Sequence, residues 1–188
     1  MVPGVLTLAS RSPQRRAILE QLGLEFEVVV PDVEELTDGE PEALVVENAL
    51  RKARAVGGQT VLGADTAVVL GERVLGKPRD RAQADGFLRA LSGREHVVWS
   101  GVAVVDGAGE RTMAVCTTVR FRELPDGVLG WYLDGGEWRE RAGGYAIQGR
   151  GAALVEGIRG DYTNVVGLPV SALVLLMGSF AGGSGSGQ

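Results

Sequence analysis

Residues 5–30 read VLTLASRSPQRRAILEQLGLEFEVVV, and this stretch decides the fold class. Residues 5–9 are a short apolar run of the kind that makes a buried strand. Ser12-Pro13 follows. Serine is a good helix N-cap and proline suits the first helical position. The helix so begun carries Ile18, Leu19 and Leu22 on one face and meets its stop signal at Gly23. A second apolar run at 26–30 ends at Pro31. Strand, helix, strand in 26 residues predicts a parallel pair crossed by a helix.

The rest of the chain extends that pattern. Residues 41–56 read as a helix with Leu44, Val45, Ala49 and Ala53 available for burial. A strand at 60–63 runs into Ala64-Asp65-Thr66 and stays extended through 67–70. Gly71-Glu72 is turn-like before a short strand at 73–75, and 76–78 form a loop. Asp80 is placed to cap a helix over 81–91. Two β-rich runs, 96–105 and 111–121, flank a turn-like segment at 106–109 and predict a hairpin. A short helix at 127–133, a glycine-rich loop at 143–151, a strand at 152–155 and a helix at 169–177 complete the reading. The sum is an α/β domain with a mixed central sheet flanked by helices, one domain over residues 1–180. Residues 181–188, AGGSGSGQ, read as a flexible tail outside the fold.

Composition narrows the function classes. The net charge of −5 argues against a partner such as duplex DNA or RNA, whose phosphates call for a basic excess. A run of about 18 apolar residues, enough to span a bilayer, is missing, as is a secretory leader pattern, so the expected setting is the cytoplasm with no membrane partner. The single cysteine, Cys116, excludes an intrachain disulfide; its apolar surroundings predict a buried thiol. Glycine, 29 of 188 residues, is about twice its usual share, as tight turns and close backbone approaches require. Neither a Walker loop nor a dinucleotide glycine fingerprint occurs.

Five features carry candidate chemistry. The turn from Ala9 to Pro13 offers a helix N-terminus for an anion, with Ser10 and Ser12 as hydroxyl donors and Arg15 as a charged fork. The same segment is equally an ordinary capped helix with a solvated basic turn. Asp65 stands at a strand end, where a carboxylate orients water or binds metal, or simply forms a turn. Lys52 and Lys77 are the only lysines in a chain that otherwise uses arginine, as sites needing a compact ammonium would be, or as leftover surface residues. Glu34 and Glu35 follow a strand and could complete a metal site with Asp65, or belong to a solvated acidic loop. Gln148, flanked by glycines, has an amide that could read a base edge, or it is structural. His96, the sole histidine, has no nucleophile partner in the pattern and reads as structural.

Eight segments in order give these features a common meaning: LASRSPQRR at 8–16, PDVEE at 31–35, Lys52-Ala53, GADTAVV at 63–69, GKP at 76–78, LSGREH at 91–96, RAGGYAIQG at 141–149 and GDYTNVVGLP at 160–169. Together they resemble the Maf family of nucleoside triphosphate pyrophosphatases, across nearly the whole chain. The resemblance implies a fold related to the inosine triphosphate pyrophosphatases, two lobes around a cleft, and a homodimer. It implies hydrolysis of a nucleoside triphosphate to monophosphate and pyrophosphate with a divalent metal, Mg²⁺ or Mn²⁺. Asp65 would be the general base, and Ser10, Arg15, Lys52 and Lys77 would hold phosphate oxygens. Glu35 and Asp65 would serve the metal. Within the family, Thr66 and Gln148 match the branch acting on dTTP and UTP, while Gln14 stands where that branch has arginine. The 7-methyl-GTP branch has an aromatic there, which Gln14 is not. The resemblance thus implies a pyrimidine preference, looser than with arginine at position 14. Two alternatives are a pyrophosphatase for inosine- or xanthosine-type triphosphates and a nucleotide-sensing regulator of septum formation without catalysis.

Overall fold

The computed structural model of the chain describes residues 5–178; the tail at 181–188 lies outside the described residues. The opening stretch folds as its pattern requires. Strand β1 (Leu6–Ala9) is buried throughout, and helix α1 (Pro13–Gln21) starts on the Ser12 cap, whose hydroxyl accepts from the Arg15 backbone N–H. Strand β2 (Phe26–Val29) then pairs parallel with β1. Helix α2 (Pro41–Arg54) leads into the long strand β3 (Thr60–Leu70), followed by β4 (Arg73–Leu75) and helix α3 (Arg81–Leu91) on its Asp80 cap. The hairpin is β5 (Glu95–Asp106) and β6 (Gly109–Phe121). Helix α4 (Asp126–Asp134), two 3-10 turns, strand β7 (Val155–Arg159) and helices α5 (Tyr162–Val166) and α6 (Val170–Met177) complete the described chain.

The sheet is mixed, ordered β2-β1-β3-β5-β6-β7, with β4 on β3. One detail of its register makes the cleft. On one edge β3 pairs with β5 along residues 60–69. On the other it pairs with β1 only up to Ala9 opposite Gly63, and with β4 only from Val68 opposite Leu75. Residues 64–67 of β3 therefore have no strand beside them on that edge. Asp65 and Thr66 lie in this gap, just past the end of β1 and beside the start of α1.

Separate apolar clusters flank the gap. One gathers Phe87, Leu88, Phe121 and Tyr132 beneath α3 and α4; the other gathers Leu8, Leu19, Leu62 and Leu173 between β1, α1 and α6. Each fully buried leucine is worth about 1.5–3 kcal/mol relative to exposure, so both clusters stabilise the walls independently of the site. Helix α2 lies flat on the sheet because two glycines let it. A Cβ on Gly63 would stand 2.1 Å from the Ala49 carbonyl oxygen, and one on Gly101 would stand 2.2 Å from that of Val45.

Two expectations need correction, and one element is new. Residues 152–155 are not a strand: a 3-10 turn spans Gly149–Ala153, and β7 begins only at Val155. Strand β7 is a largely exposed edge carrying Glu156 and Arg159, so it lacks the apolar alternation that announces a strand. Cys116 is exposed rather than buried. On β6 the buried positions are Thr117, Val119 and Phe121, and strand alternation turns Cys116 to the opposite face. Helix α5 is too short to show in the sequence pattern; it is five residues long and rests on Asp161, whose carboxylate accepts from the N–H groups of Thr163 and Asn164.

Candidate active site

The site residues implied by the resemblance line a single cavity of about 950 Å³ at the gap in the sheet, whereas Glu34 is exposed and does not line it. Strand β3 supplies Asp65 and Thr66. Helix α2 supplies Lys52, the α1 turn supplies Ser10, Gln14 and Arg15, and three loops bring Glu35, Lys77 and Gln148.

The centre of the cavity is built by α2. Val45, Asn48, Ala49 and Lys52 recur at helical spacing and form its buried stripe. Because glycines 63 and 101 admit the helix closely, that stripe reaches the Asp65 carboxylate. Lys52 Nζ is 2.6 Å from Asp65 Oδ1 and 2.7 Å from Glu35 Oε1, and 3.5 Å from the Ala64 carbonyl. Its three ammonium protons thus face three acceptors. Asn48 donates through Nδ2 to Asp65 Oδ2 at 3.0 Å and to the Leu36 carbonyl at 3.0 Å, and its Oδ1 accepts from the Leu36 N–H at 2.8 Å. Asn48, 2 % exposed, therefore fastens the loop carrying Glu35 to the base of Asp65. Partial burial works against ionisation of Glu35, but the Lys52 hydrogen bond and charge, with the fields of Lys77 and Arg15, hold its pKa below the ordinary value.

Arg15 forms the second element. It is buried, and no carboxylate touches it among the described residues. Nε donates to the Gly167 carbonyl at 2.9 Å, Nη1 to Ser10 Oγ at 3.2 Å and Nη2 to Thr66 Oγ1 at 3.2 Å. Burial lowers its pKa, and the fields of Asp65 and Glu35 oppose that. The GDYTNVVGLP segment explains itself here, since α5 and its Gly167 cap present the carbonyl that aims Arg15. Ser10 Oγ accepts from both Arg15 and the Ser12 N–H, leaving its own proton free for an anion. Thr66 Oγ1 lies 2.8 Å from Ser100 Oγ, where either hydroxyl can donate, and 3.5 Å from the Gly167 carbonyl, while Ser100 also reaches the Asn164 carbonyl at 3.3 Å. The basic first turn of α1 is resolved by dispersal: Arg15 turns inward, and Arg16 pairs with Glu20 at 2.7 Å.

The remaining residues sit at the rim. Lys77 is half exposed and 3.5 Å from Glu140, a loose contact of little energetic weight. Gln148 is exposed on the cavity wall. Gln14 is half-buried, and its Oε1 accepts from Ser12 Oγ at 3.3 Å and from Arg141 Nη1. His96 bonds through Nε2 to the Tyr145 hydroxyl at 2.7 Å, which holds the glycine-rich loop, and burial lowers its pKa to about 4. Asn48 and Arg141 are the residues sequence reasoning missed.

For a metal, the donor set is two carboxylates that converge on one ammonium. Among the described residues no cluster of three or more His, Cys, Asp or Glu is placed to hold a metal ion. Two hard oxygen donors fit a Mg²⁺-type ion that takes its other ligands from water and substrate phosphates, not an all-protein cage. No helix among the described residues is long and apolar enough to cross a membrane.

Known proteins similar to this chain reach 45–49% identity. The dTTP/UTP pyrophosphatase of Symbiobacterium thermophilum is 49% identical over 181 residues, covering 93% of each chain. Those of Anaeromyxobacter dehalogenans, 49% over 178 residues and 92% of each chain, and Pelotomaculum thermopropionicum, 45% over 183 residues, 93% of this chain and 96% of that one, are similar too. Among solved structures, the Staphylococcus aureus Ham1 protein aligns with a TM-score of 0.47 at 14% identity, over 62% of this chain and 71% of that one. The family model described as Maf-like protein matches residues 5–180, so this chain belongs to the Maf family.

Proposed function

We propose that this protein hydrolyses dTTP and UTP to the nucleoside monophosphate and pyrophosphate. The observation that carries the reading is Asp65, a buried carboxylate in the sheet gap, held from both sides by Lys52 and Asn48 and facing a cavity lined with Ser10, Arg15 and Lys77. The curated names of relatives at 45–49% identity support the same reading.

Cleavage between the α- and β-phosphates needs a water aimed at the α-phosphorus and positive charge on the departing pyrophosphate. Each Asp65 oxygen has a lone pair beyond its protein hydrogen bond, so Asp65 orients that water and accepts its proton. Lys52 and Asn48 fix the carboxylate in one rotation, which is what positioning a water requires. The Ser10 hydroxyl, the remaining Arg15 N–H groups and Lys77 hold phosphate oxygens. Lys52 contributes its positive charge beside the phosphates and holds Asp65 and Glu35 in place. A divalent cation held by Glu35 and Asp65 would supply charge neutralisation at the phosphate oxygens. Thr66 bears on substrate choice through Arg15, since its hydroxyl is committed to Arg15 and Ser100. Gln148 reads the base from the exposed wall. We place the enzyme in the cytoplasm as a homodimer, with no nucleic acid polymer as partner.

The test is a panel of dTTP, UTP, CTP, GTP, ITP and 7-methyl-GTP with Mg²⁺ or Mn²⁺, scored for pyrophosphate release. Highest kcat/KM on dTTP and UTP is expected. Preference for ITP or 7-methyl-GTP would overturn the substrate assignment, and nucleotide binding without any product would overturn catalysis.

A further inference from the structure

The cavity wall carries a further guanidinium, at the head of the RAGGYAIQG segment, to which neither the resemblance nor the mechanism above gives a role. Arg141 lines the wall between the α1 turn and the glycine-rich loop, next to Tyr145, Ile147 and Gln148. It has no carboxylate partner among the described ion pairs, its Nη1 donates to Gln14, and its Nε is buried without any hydrogen-bond partner. A buried N–H left in that state is destabilising and calls for an explanation. Burial lowers its pKa, and the fields of Tyr132 and Glu137 oppose that.

Gln14 is fixed by the same contact. Two donors, Ser12 Oγ and Arg141 Nη1, converge on Oε1. The amide orientation follows from them, and the Gln14 NH₂ has no protein acceptor among the described residues. Arg141 Nη2 is likewise without one. The pair therefore offers the cavity only N–H donors, beside an apolar wall of Val68, Tyr145 and Ile147.

Resting on the dTTP/UTP reading, we infer that Arg141, oriented by Gln14, is a specificity-determining residue that binds a base carbonyl and rejects an exocyclic amine. Uracil and thymine carry an acceptor, O4, where cytosine carries the N4 amino donor. A donor-only pair satisfies the first and leaves a donor facing a donor with the second. Position 14 then acts indirectly: the guanidinium that meets the base comes from the loop at 141, and Gln14 supplies the acceptor that aims it.

The experiment compares kcat/KM on UTP and CTP for the wild-type enzyme, Arg141→Ala, Arg141→Lys and Gln14→Ala. Arg141→Ala is expected to lower the UTP-to-CTP ratio by about tenfold or more, the range for removing a built hydrogen-bond donor from a recognition site. Arg141→Lys, which keeps a charged donor without the planar fork, recovers part of the ratio. Gln14→Ala shifts it in the same direction by less. A purely structural Arg141 would depress UTP and CTP in parallel, and an unchanged ratio in an active Arg141→Ala enzyme overturns the inference while leaving the pyrophosphatase reading standing. If Arg141→Ala does not fold, an unchanged ratio in Gln14→Ala overturns it. Absence of pyrophosphate release from every nucleotide by the wild-type enzyme overturns the underlying function and this inference with it.

Discussion

Asn48 holds Asp65 through a 3.0 Å hydrogen bond and, with the same amide, grips both backbone groups of Leu36. One buried side chain on α2 thus couples the strand carrying the reacting carboxylate to the loop carrying Glu35. Asn48→Ala removes three hydrogen bonds at once and leaves one carboxylate oxygen without its protein donor. Stability is expected to fall by about 1–3 kcal/mol, the penalty for buried polar groups losing partners. Turnover should fall by about 10²-fold through misplacement of Asp65. Denaturant unfolding and steady-state kinetics check both, and kcat should drop more than KM rises. A fall in stability without loss of kcat would show that Asn48 is only structural.

Asp65→Asn keeps the shape of the side chain and removes its capacity to take a proton. Lys52 retains Glu35 as an acceptor at 2.7 Å, so the buried ammonium is not left unpaired and the fold survives. Hydrolysis should become undetectable while circular dichroism and thermal melting remain close to wild type. Near-normal activity in the folded variant would remove Asp65 from the role of base.

Gly63→Ala tests how the site is assembled. The added methyl would meet the Ala49 carbonyl at 2.1 Å, and that contact is backbone, which cannot swing aside. Helix α2 must lift, taking Asn48 and Lys52 away from Asp65. Overpacking of this kind costs about 1–3 kcal/mol. The expected result is a lower melting temperature together with a loss of kcat, although residue 63 bears no reactive group. Gly57→Ala, with open space around it and no left-handed backbone, is the control for the added methyl itself.

His96 gives the fold a pH dependence. Burial depresses its pKa from 6.5 to about 4. Between those values the unfolded chain binds a proton that the folded protein does not, so stability falls as pH drops from 6.5 towards 4 and the effect is absent above 6.5. The full contribution is about 3 kcal/mol. Glu35 adds to the acid loss, since its lowered pKa makes the folded state lose stability as pH falls through the carboxylate range. Urea melts from pH 4 to 8 should show the decline. In His96→Leu the component between pH 6.5 and 4 should vanish, and persistence of the same slope would contradict the assignment.

Much of this architecture is readable locally. Proline and Ser12 open α1, Asp80 opens α3 at the residue expected, and the alternation across 96–121 gives the hairpin. These features depend on neighbours a few residues apart. Helix α5 and strand β7 were not readable, since the first is too short to show a period and the second is a polar edge. Cys116 misled because an apolar run conceals which face each residue takes. Within the site, the signal for Asn48 was present: it sits four residues before Lys52 and three after Val45, on the stripe that faces the sheet. Arg141 opens the segment RAGGYAIQG, but nothing in its local pattern gives it a role. Its partner Gln14 is 127 positions away in sequence, and only the folded chain brings them together.

The central claim is attack of water at the α-phosphorus, assisted by Asp65. Hydrolysis of UTP in ¹⁸O-enriched water, followed by mass spectrometry of the products, reads it directly. The account predicts label in the monophosphate, one oxygen per turnover, and unlabelled pyrophosphate. Label in orthophosphate, with a nucleoside diphosphate as the other product, would place the attack at the γ-phosphorus and contradict it.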